Sequence, residues 1–323
     1  MSLEQQAFQM DVNGFCILEK VIPAAPCYEI RNRIIETVER EHLNYETGRM
    51  ASSNRVGFTP SIINHDQSFA YFNSSNIEII SIIFMIIGSL PFVVYLQFLH
   101  GQKSLIVKDE QIKLFFIILL LIIFLTTIWL IHSRSMPVNI SIRLALFNIT
   151  SILTGTGYTT YNYSTWGSFG LVIMLIIMFI GGCAGSTTCG IKIFRLQLLF
   201  RGAKTQIKKL THPHAVLLMR FNGKTVTENT YNSIMGFFFM YIFIFIISSI
   251  SLSFFNLDFL TSFSAAASAI SNVGPGIGSI IGPNGNYSSL NNGAKWILSI
   301  TMLIGRLEIF TILVLLSIAF WKK

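Results

Sequence analysis

Two short runs in this chain have the composition to handle a bare ion. They are Thr154-Gly155-Thr156-Gly157-Tyr158-Thr159-Thr160 and Ser271-Asn272-Val273-Gly274-Pro275-Gly276-Ile277-Gly278. Glycine admits backbone geometries that a Cβ forbids, so carbonyl oxygens in such a run can be aimed at one point. Rings of backbone carbonyls replace the water shell of potassium in selective channels. The hydroxyls of Thr154 and Thr156 can add oxygens. Neither run holds Asp or Glu, which favours potassium over a divalent ion. The candidate ion-binding residues are Thr154, Gly155, Thr156, Gly157 and Tyr158 in the first run, and Ser271, Asn272, Val273 and Gly274 in the second. The competing reading treats these glycines as helix-packing positions or outer turns. Two equivalent loops, each behind an apolar stretch too short to cross a bilayer, weigh against it.

A third run, Gly181-Gly182-Cys183-Ala184-Gly185-Ser186-Thr187-Thr188-Cys189-Gly190, interrupts an apolar stretch with small and hydroxyl residues. It reads as a flexible gate beneath the ion-binding loops, carried by Gly181, Gly182, Gly185, Ser186, Thr187, Thr188 and Gly190. The alternative is a small-residue helix-packing face. Arg306 and Glu308 lie well inside the last apolar stretch, where charge is expensive and faces a cavity or a partner. Arg306 near the Gly181–Gly190 run would repel a passing cation or hold the gate shut. A structural pairing of Arg306 with Glu308 or with a carbonyl is the alternative. Cys183 and Cys189 read as small neutral residues. No CxxC pair joins them to Cys16 or Cys27, so neither a zinc site nor a redox motif is indicated. His212 and His214, without further ligands, read as loop residues rather than a metal site.

The elements that would hold these runs follow from composition. The 323 residues are 52% hydrophobic and 12% charged, with a mean hydropathy of +0.61. A soluble domain is about 25% charged. The low value excludes a disordered or nucleic-acid-binding chain and points to an all-α polytopic membrane protein. Apolar spans are expected at Ile79–Leu99, kinked at Pro91, and at Ile112–Ile131, Tyr231–Phe255 and Trp296–Trp321. Phe169–Ile180 is a shorter apolar helix. Ser141–Leu153 and Asp258–Ile270 are re-entrant candidates ahead of the two glycine loops. The unit "membrane helix, re-entrant pore helix, filter loop, membrane helix" therefore occurs twice, with Gly157 and Gly274 equivalent. Ile79–Leu99 reads as the closing helix of a partial earlier unit. The expected divisions are a soluble-like acidic segment over 1–63, a remnant unit over 64–110, and full units over 111–225 and 226–323.

Charge splits at the same place. Residues 1–80 hold ten acids and six bases, net −4; residues 81–323 hold five acids and seventeen bases, net +12. Thirteen Lys and Arg fall on the segments joining the units and three on the opposite side. This places the connections inside and the short helices dipping from outside. No signal peptide is read in Met1–Met10. Within the head, Gly14–Leu18 reads as a strand, and a helix is expected from Pro26, with Ile30, Ile34 and Val38 on one face.

The motifs Leu153–Thr160, Gly181–Lys192, Ser271–Gly276 and Ile304–Glu308 resemble the TrkH potassium-uptake subunits of bacteria, in the Trk/Ktr/HKT superfamily. The resemblance runs from about Asn64 to Lys323. It implies four membrane–pore–membrane units around one pore, a filter glycine in each, an intramembrane gating loop in the third and an arginine below the filter in the last. Carried over, these are Gly157, Gly274, Gly181–Gly190 and Arg306. It further implies a homodimer in the bacterial inner membrane, regulated by a cytoplasmic TrkA-like nucleotide-binding subunit. No cofactor is expected in this chain itself; potassium is the cargo. No Thr-x-Gly filter precedes Asn64, so the expectation is a truncated transporter. Residues 1–60 weakly resemble the N-terminus of phytanoyl-CoA dioxygenase-like oxygenases through Asp11–Leu18. No His-x-Asp or His-x-Glu triad element accompanies it. The leading expectation is potassium transport. Its alternative is a non-conducting chimeric fragment joined to a piece of an oxygenase.

Overall fold

Proline, glycine and local capping decide where the helices of this chain stop. The computed structural model describes Phe69, Phe72 and residues 74–100, 109–212, 219–307 and 309–321. All of them belong to one unit spanning residues 59–323. The expected strand and helix of the head, the expected Arg306–Glu308 pair and His214 lie outside the described residues.

The helices are α1 (Ser75–Ser89), α2 (Phe92–Leu99), α3 (Glu110–Arg134), α4 (Val138–Leu153), α5 (Gly167–Phe179), α6 (Ile193–Thr211), α7 (Glu228–Ser253), α8 (Phe259–Ser271), α9 (Asn292–Arg306), α10 (Ile309–Leu316) and α11 (Ile318–Trp321). The 3-10 turns Tyr163–Thr165 and Tyr287–Ser289 precede α5 and α9. One antiparallel hairpin joins β1 (Arg220–Phe221) to β2 (Lys224–Thr225). Its turn residues Asn222 and Gly223 both have positive φ, the type I′ geometry that an Asn-Gly pair favours.

Two helices, α3 and α7, are long and apolar enough to cross a membrane. At 25 and 26 residues they reach about 38 Å, more than the roughly 30 Å hydrocarbon core. Both begin on a side-chain cap: Asp109 accepts from the Gln111 amide and Thr227 from the Thr230 amide. Their outer faces expose Ile117, Leu120, Phe124, Phe239, Phe243 and Ile250. Such a wide apolar surface suits lipid rather than water.

The other two expected spans are broken. Pro91 does not kink a continuous helix; it separates α1 from α2, because proline supplies no amide and clashes with the preceding turn. Trp296–Trp321 divides into α9, α10 and α11, and α9 ends at Arg306.

The core lies where the short helices converge. Every residue of α8 from Ser264 to Ser271 is buried, and α4 is buried from Phe147 to Leu153. Small side chains make this possible in α8, whose Ser-Ala-Ala-Ala-Ser run lets α7 and α9 approach closely. Gly305 on α9 sits so near α8 that a Cβ there would overlap the Ile270 carbonyl oxygen.

Candidate functional site

The first glycine loop grows directly from the C-terminus of α4. The amides of Thr156 and Gly157 both donate to the Ser151 carbonyl, at 2.9 and 3.3 Å, folding the loop back on its helix. Gly155 and Gly157 sit at φ +68° and +77°. The Thr154 and Thr156 hydroxyls bond each other at 2.7 Å. The Tyr158 ring packs against Phe69 at a tilt of 48°, 4.8 Å between centroids. Among the described residues, no group donates to the carbonyl oxygens of Thr154, Gly155, Thr156 or Gly157. Carbonyls left without donors in a protein interior are costly unless an ion or water meets them.

The second loop is built differently. Asn272 closes α8 in the left-handed region at φ +54°, and its Nδ2 donates to the Met302 carbonyl at 3.0 Å. The Tyr241 phenol and the Ser271 hydroxyl bond at 2.7 Å. Ser268 Oγ accepts from the Gly274 amide at 3.0 Å, and the Tyr287 phenol donates to the Gly274 carbonyl at 2.6 Å. Burial pushes the Tyr287 phenol up to about 12, against a lowering bond to Ser268, so it stays a donor at neutral pH. The carbonyls of Ser271, Asn272 and Val273 accept no bond among the described residues.

The two loops meet. A Cβ on Gly157 would overlap the Val273 carbonyl oxygen and lie 2.9 Å from Pro275 Cδ. Between them a cavity of about 60 Å³ is lined by Thr156, Gly157, Val273, Gly274 and Tyr287 among others. Residues from 117 positions apart in sequence thus share one concave surface.

Phe179 ends α5, and the chain enters the Gly181–Gly190 loop. Its neck is pinned by Gly181 N to Ile191 O and Ile191 N to Phe179 O, at 3.0 and 2.9 Å. Gly181 is obligatory at that neck, since a Cβ would overlap the Cys189 carbonyl. Inside the loop, the Gly182 amide donates to Thr188 Oγ1 at 2.9 Å, and Ser186 Oγ bonds the Cys183 carbonyl at 2.6 Å. Gly185 and Gly190 take φ +74° and +78°. The tip docks on the break after α1. Thr187 donates from its amide and hydroxyl to the Gly88 carbonyl at 3.3 and 3.0 Å, and Cys183 N donates to the Ser89 carbonyl at 3.0 Å. The Phe92 amide returns a bond to Gly185 O at 2.9 Å.

Arg306, at the end of α9, reaches this loop from the other side. Its Nη1 donates to the Thr187 carbonyl and lies against Cys189 Sγ, both at 3.1 Å. Lys192 Nζ also donates to the carbonyls of Thr188 and Ser186. A cavity of about 270 Å³ opens here, lined by Thr187, Cys189, Lys192, Arg195 and Arg306 among others. Another, of about 330 Å³, is lined by Thr154, Thr156, Gly88, Ser89 and Thr187 and by Ile80, Phe84 and Met85 of α1. The first glycine loop and the Gly181–Gly190 loop therefore border one continuous space.

Several participants escaped sequence reasoning. The carbonyls of Gly88 and Ser89 become docking points only because Pro91 stops the helix. Pro91 was visible as a helix breaker, but the partner of the freed carbonyls was not. Tyr241, Ser268 and Tyr287 act across 30, 6 and 13 positions. Gln111 Oε1 accepts from the Ala184 amide at 2.9 Å. None of these contacts has a local sequence signature.

Comparison with known proteins bears on this arrangement. The profile of the TrkH family, described as cation transport protein, matches residues 50–322. The potassium uptake protein TrkI of Halomonas elongata is 39% identical over 266 residues, covering 82% of this chain and 54% of that protein. TrkH of Escherichia coli K12 is 33% identical over 261 residues, covering 80% and 53%. The crystal structure of the potassium transporter TrkH from Vibrio parahaemolyticus aligns with a TM-score of 0.76 at 30% identity, covering 98% of this chain and 69% of that one. The chain spans about half the length of the curated relatives it matches. With the profile spanning both glycine loops, the loop between them and Arg306, this chain is a membrane protein of the TrkH family of cation transport proteins.

Proposed function

We propose that this chain conducts potassium into a bacterial cell across the inner membrane, as part of a TrkH-type uptake system. The observation that carries the reading is the space of about 330 Å³ bordered by Thr154 and Thr156 at one end and by Thr187 at the other. Donor-free carbonyls at its upper end and a cation-latched loop at its lower end match a filter above a gate.

In this reading potassium sheds water at the carbonyls of Thr154–Gly157 and Ser271–Val273. Backbone oxygens at fixed spacing replace the hydration shell. Tyr158 and Gly274 support those positions: Tyr158 through its ring, and Gly274 through a carbonyl turned to Tyr287. The α4 and α8 helices are the re-entrant pore helices of two units, residues 111–225 and 226–323. α1 closes a unit that begins in residues 64–110. A ring of four filter loops needs two more loops than these units hold.

The gate is the Gly181–Gly190 loop. Its tip occupies the path below the filter while Gly88, Ser89 and Arg306 hold it. Arg306 places a guanidinium where a partly dehydrated cation must pass, and the low-dielectric surroundings strengthen that barrier. Opening requires Thr187 to leave both partners. A homodimer and a cytoplasmic TrkA-like regulator belong to the same reading. Such a regulator has the basic α6 helix and the β1–β2 hairpin available on the cytoplasmic side. There Arg201 pairs with Glu110 at 2.5 Å.

The test is rubidium or potassium uptake in a potassium-uptake-deficient bacterial strain. One arm expresses the chain alone, and the other extends it with the preceding two units of a relative. Uptake in either arm that disappears with Gly157→Asp and Gly274→Asp supports the filter. Uptake that survives both substitutions overturns it.

A further inference from the structure

Glu78 is the one buried charged side chain among the described residues, 5% exposed. It lies in the first turn of α1. Arg143, in the second turn of α4, grips it with a two-point fork: Nε to Oε2 at 2.6 Å and Nη2 to Oε1 at 2.8 Å. The planar guanidinium matches both carboxylate oxygens, which fixes orientation as well as distance. Glu78 loses nearly all of its water while the Arg143 side chain, 39% exposed, keeps part of its own, so the pair adds little net stability. What such a pair can supply is geometry.

The geometry here joins two functional loops. The α4 helix carries the first glycine loop at its C-terminus. α1 carries Glu78 at its outer end and the carbonyls of Gly88 and Ser89 at its inner end, where Thr187 and Cys183 dock. Those ends are eleven residues apart, about 16 Å along a helix. Phe69 N adds a second outer tie, donating to the Thr159 carbonyl at 2.9 Å, with its ring 5.3 Å from Phe147 of α4. Charge gives a further reason. A cation near the N-terminus of α4 opposes the helix dipole. Glu78 offsets that charge. The second pore helix has no such device; Phe259–Ser262, its first turn, carries no charge.

We propose that Glu78 and Arg143 are a positioning pair, through which α1 acts as a strut that sets the height of the first glycine loop relative to the Gly181–Gly190 loop. The proposal rests on the filter reading above, and its consequence is ion discrimination. Neither residue touches the ion.

The experiment uses the full chain in whichever arm of the uptake assay is active, reconstituted in liposomes, and measures the ratio of rubidium to sodium uptake. Glu78→Gln and Arg143→Lys should each lower that ratio roughly tenfold, equal to about 1.4 kcal/mol. The exchanged pair, Glu78→Arg with Arg143→Glu, should recover at least part of it. A merely structural pair would change the amount of folded protein and leave the ratio of the folded fraction alone. Unchanged ratios in both single variants overturn the proposal, as does an exchanged pair no better than the singles. Should Glu78→Gln not fold, Arg143→Lys decides, since it keeps the charge and loses the fork. If the unaltered protein does not discriminate between the two ions, the filter reading falls and the strut falls with it.

Discussion

The two helical segments that carry α4 and α8 share an order of elements and differ in how they hold their glycine loops. The loop after α4 is supported from outside by charge and rings: Glu78 on Arg143, and Phe69 on Tyr158. The loop after α8 is supported from behind by hydroxyls, with Tyr241 on Ser271, Ser268 on Gly274 and Tyr287 on Gly274. Their closing helices differ too. α5 stops at Phe179 and yields the Gly181–Gly190 loop, whereas α9 continues to Arg306 and bonds that loop. An equal repeat would serve a symmetric ring of oxygens. In the proposed reading, the inequality makes one unit the bearer of the gate and the other its latch.

The largest effect should come from the point where the loops touch. Gly157→Ala forces a side chain into the Val273 carbonyl at a backbone angle of φ +77°. Strain and overlap together should cost about 3 kcal/mol or more and abolish uptake. Gly274→Ala meets no atom within 4 Å, although its φ of +107° is unfavourable for any side chain. It should cost about 2 kcal/mol and leave measurable uptake. Thermal unfolding in detergent, run beside rubidium flux, compares the pair. Equal losses would erase the distinction between a crowded first glycine and an open second one.

Next in size is the latch. Arg306→Ala removes a charge-assisted bond to Thr187, worth about 1.5 kcal/mol. The open population, and with it unregulated potassium leak, should rise roughly tenfold by the same arithmetic. Liposome flux without any regulatory subunit measures this. An unchanged or lower leak would remove Arg306 from the gate.

Smaller still, Tyr287→Phe deletes the donor to the Gly274 carbonyl. One neutral hydrogen bond of about 1 kcal/mol is lost, so potassium should be held several-fold less selectively while the fold persists. Competition between rubidium and sodium uptake reads it out. The same substitution at Tyr158, whose ring rather than hydroxyl is in use, should change little. The least effect is expected for Gly155→Ala. Nothing lies within 4 Å of the new Cβ, and φ +68° is tolerable in the left-handed region. About 1 kcal/mol of stability is at stake there. A complete loss of uptake would mean that the first loop is packed far more tightly than its open side indicates.

Much of the site was legible because its signals are local. Short apolar stretches ahead of Thr154 and Ser271 marked helices too short to cross, and the glycines after them marked irregular backbone. Both loops do begin where α4 and α8 end. The bounds of α3 and α7 fell within three residues of expectation, since an apolar run with caps at its ends leaves little freedom. Pro91 and the end of α9 were misjudged for a different reason. Hydropathy registers apolar content along the chain, but a helix ends when its backbone bonds find other partners. At Gly88 and Ser89 those partners are amides and a hydroxyl from the Gly181–Gly190 loop, about a hundred residues away.

The sequence by itself determined that this is a helical membrane chain, where its two glycine loops begin behind short helices, and where a third glycine-rich run interrupts an apolar stretch. Composition and short-range spacing suffice for that, because bilayer thickness and backbone sterics act within one segment. Only the tertiary structure decided that Gly157 abuts Val273, that Arg306 and Gly88 hold Thr187 from two sides, and that Glu78 and Arg143 tie α1 to α4. Those contacts join residues 65 to 119 positions apart. They are selected by packing and by the need to satisfy buried charge and carbonyls, and no single segment contains that information.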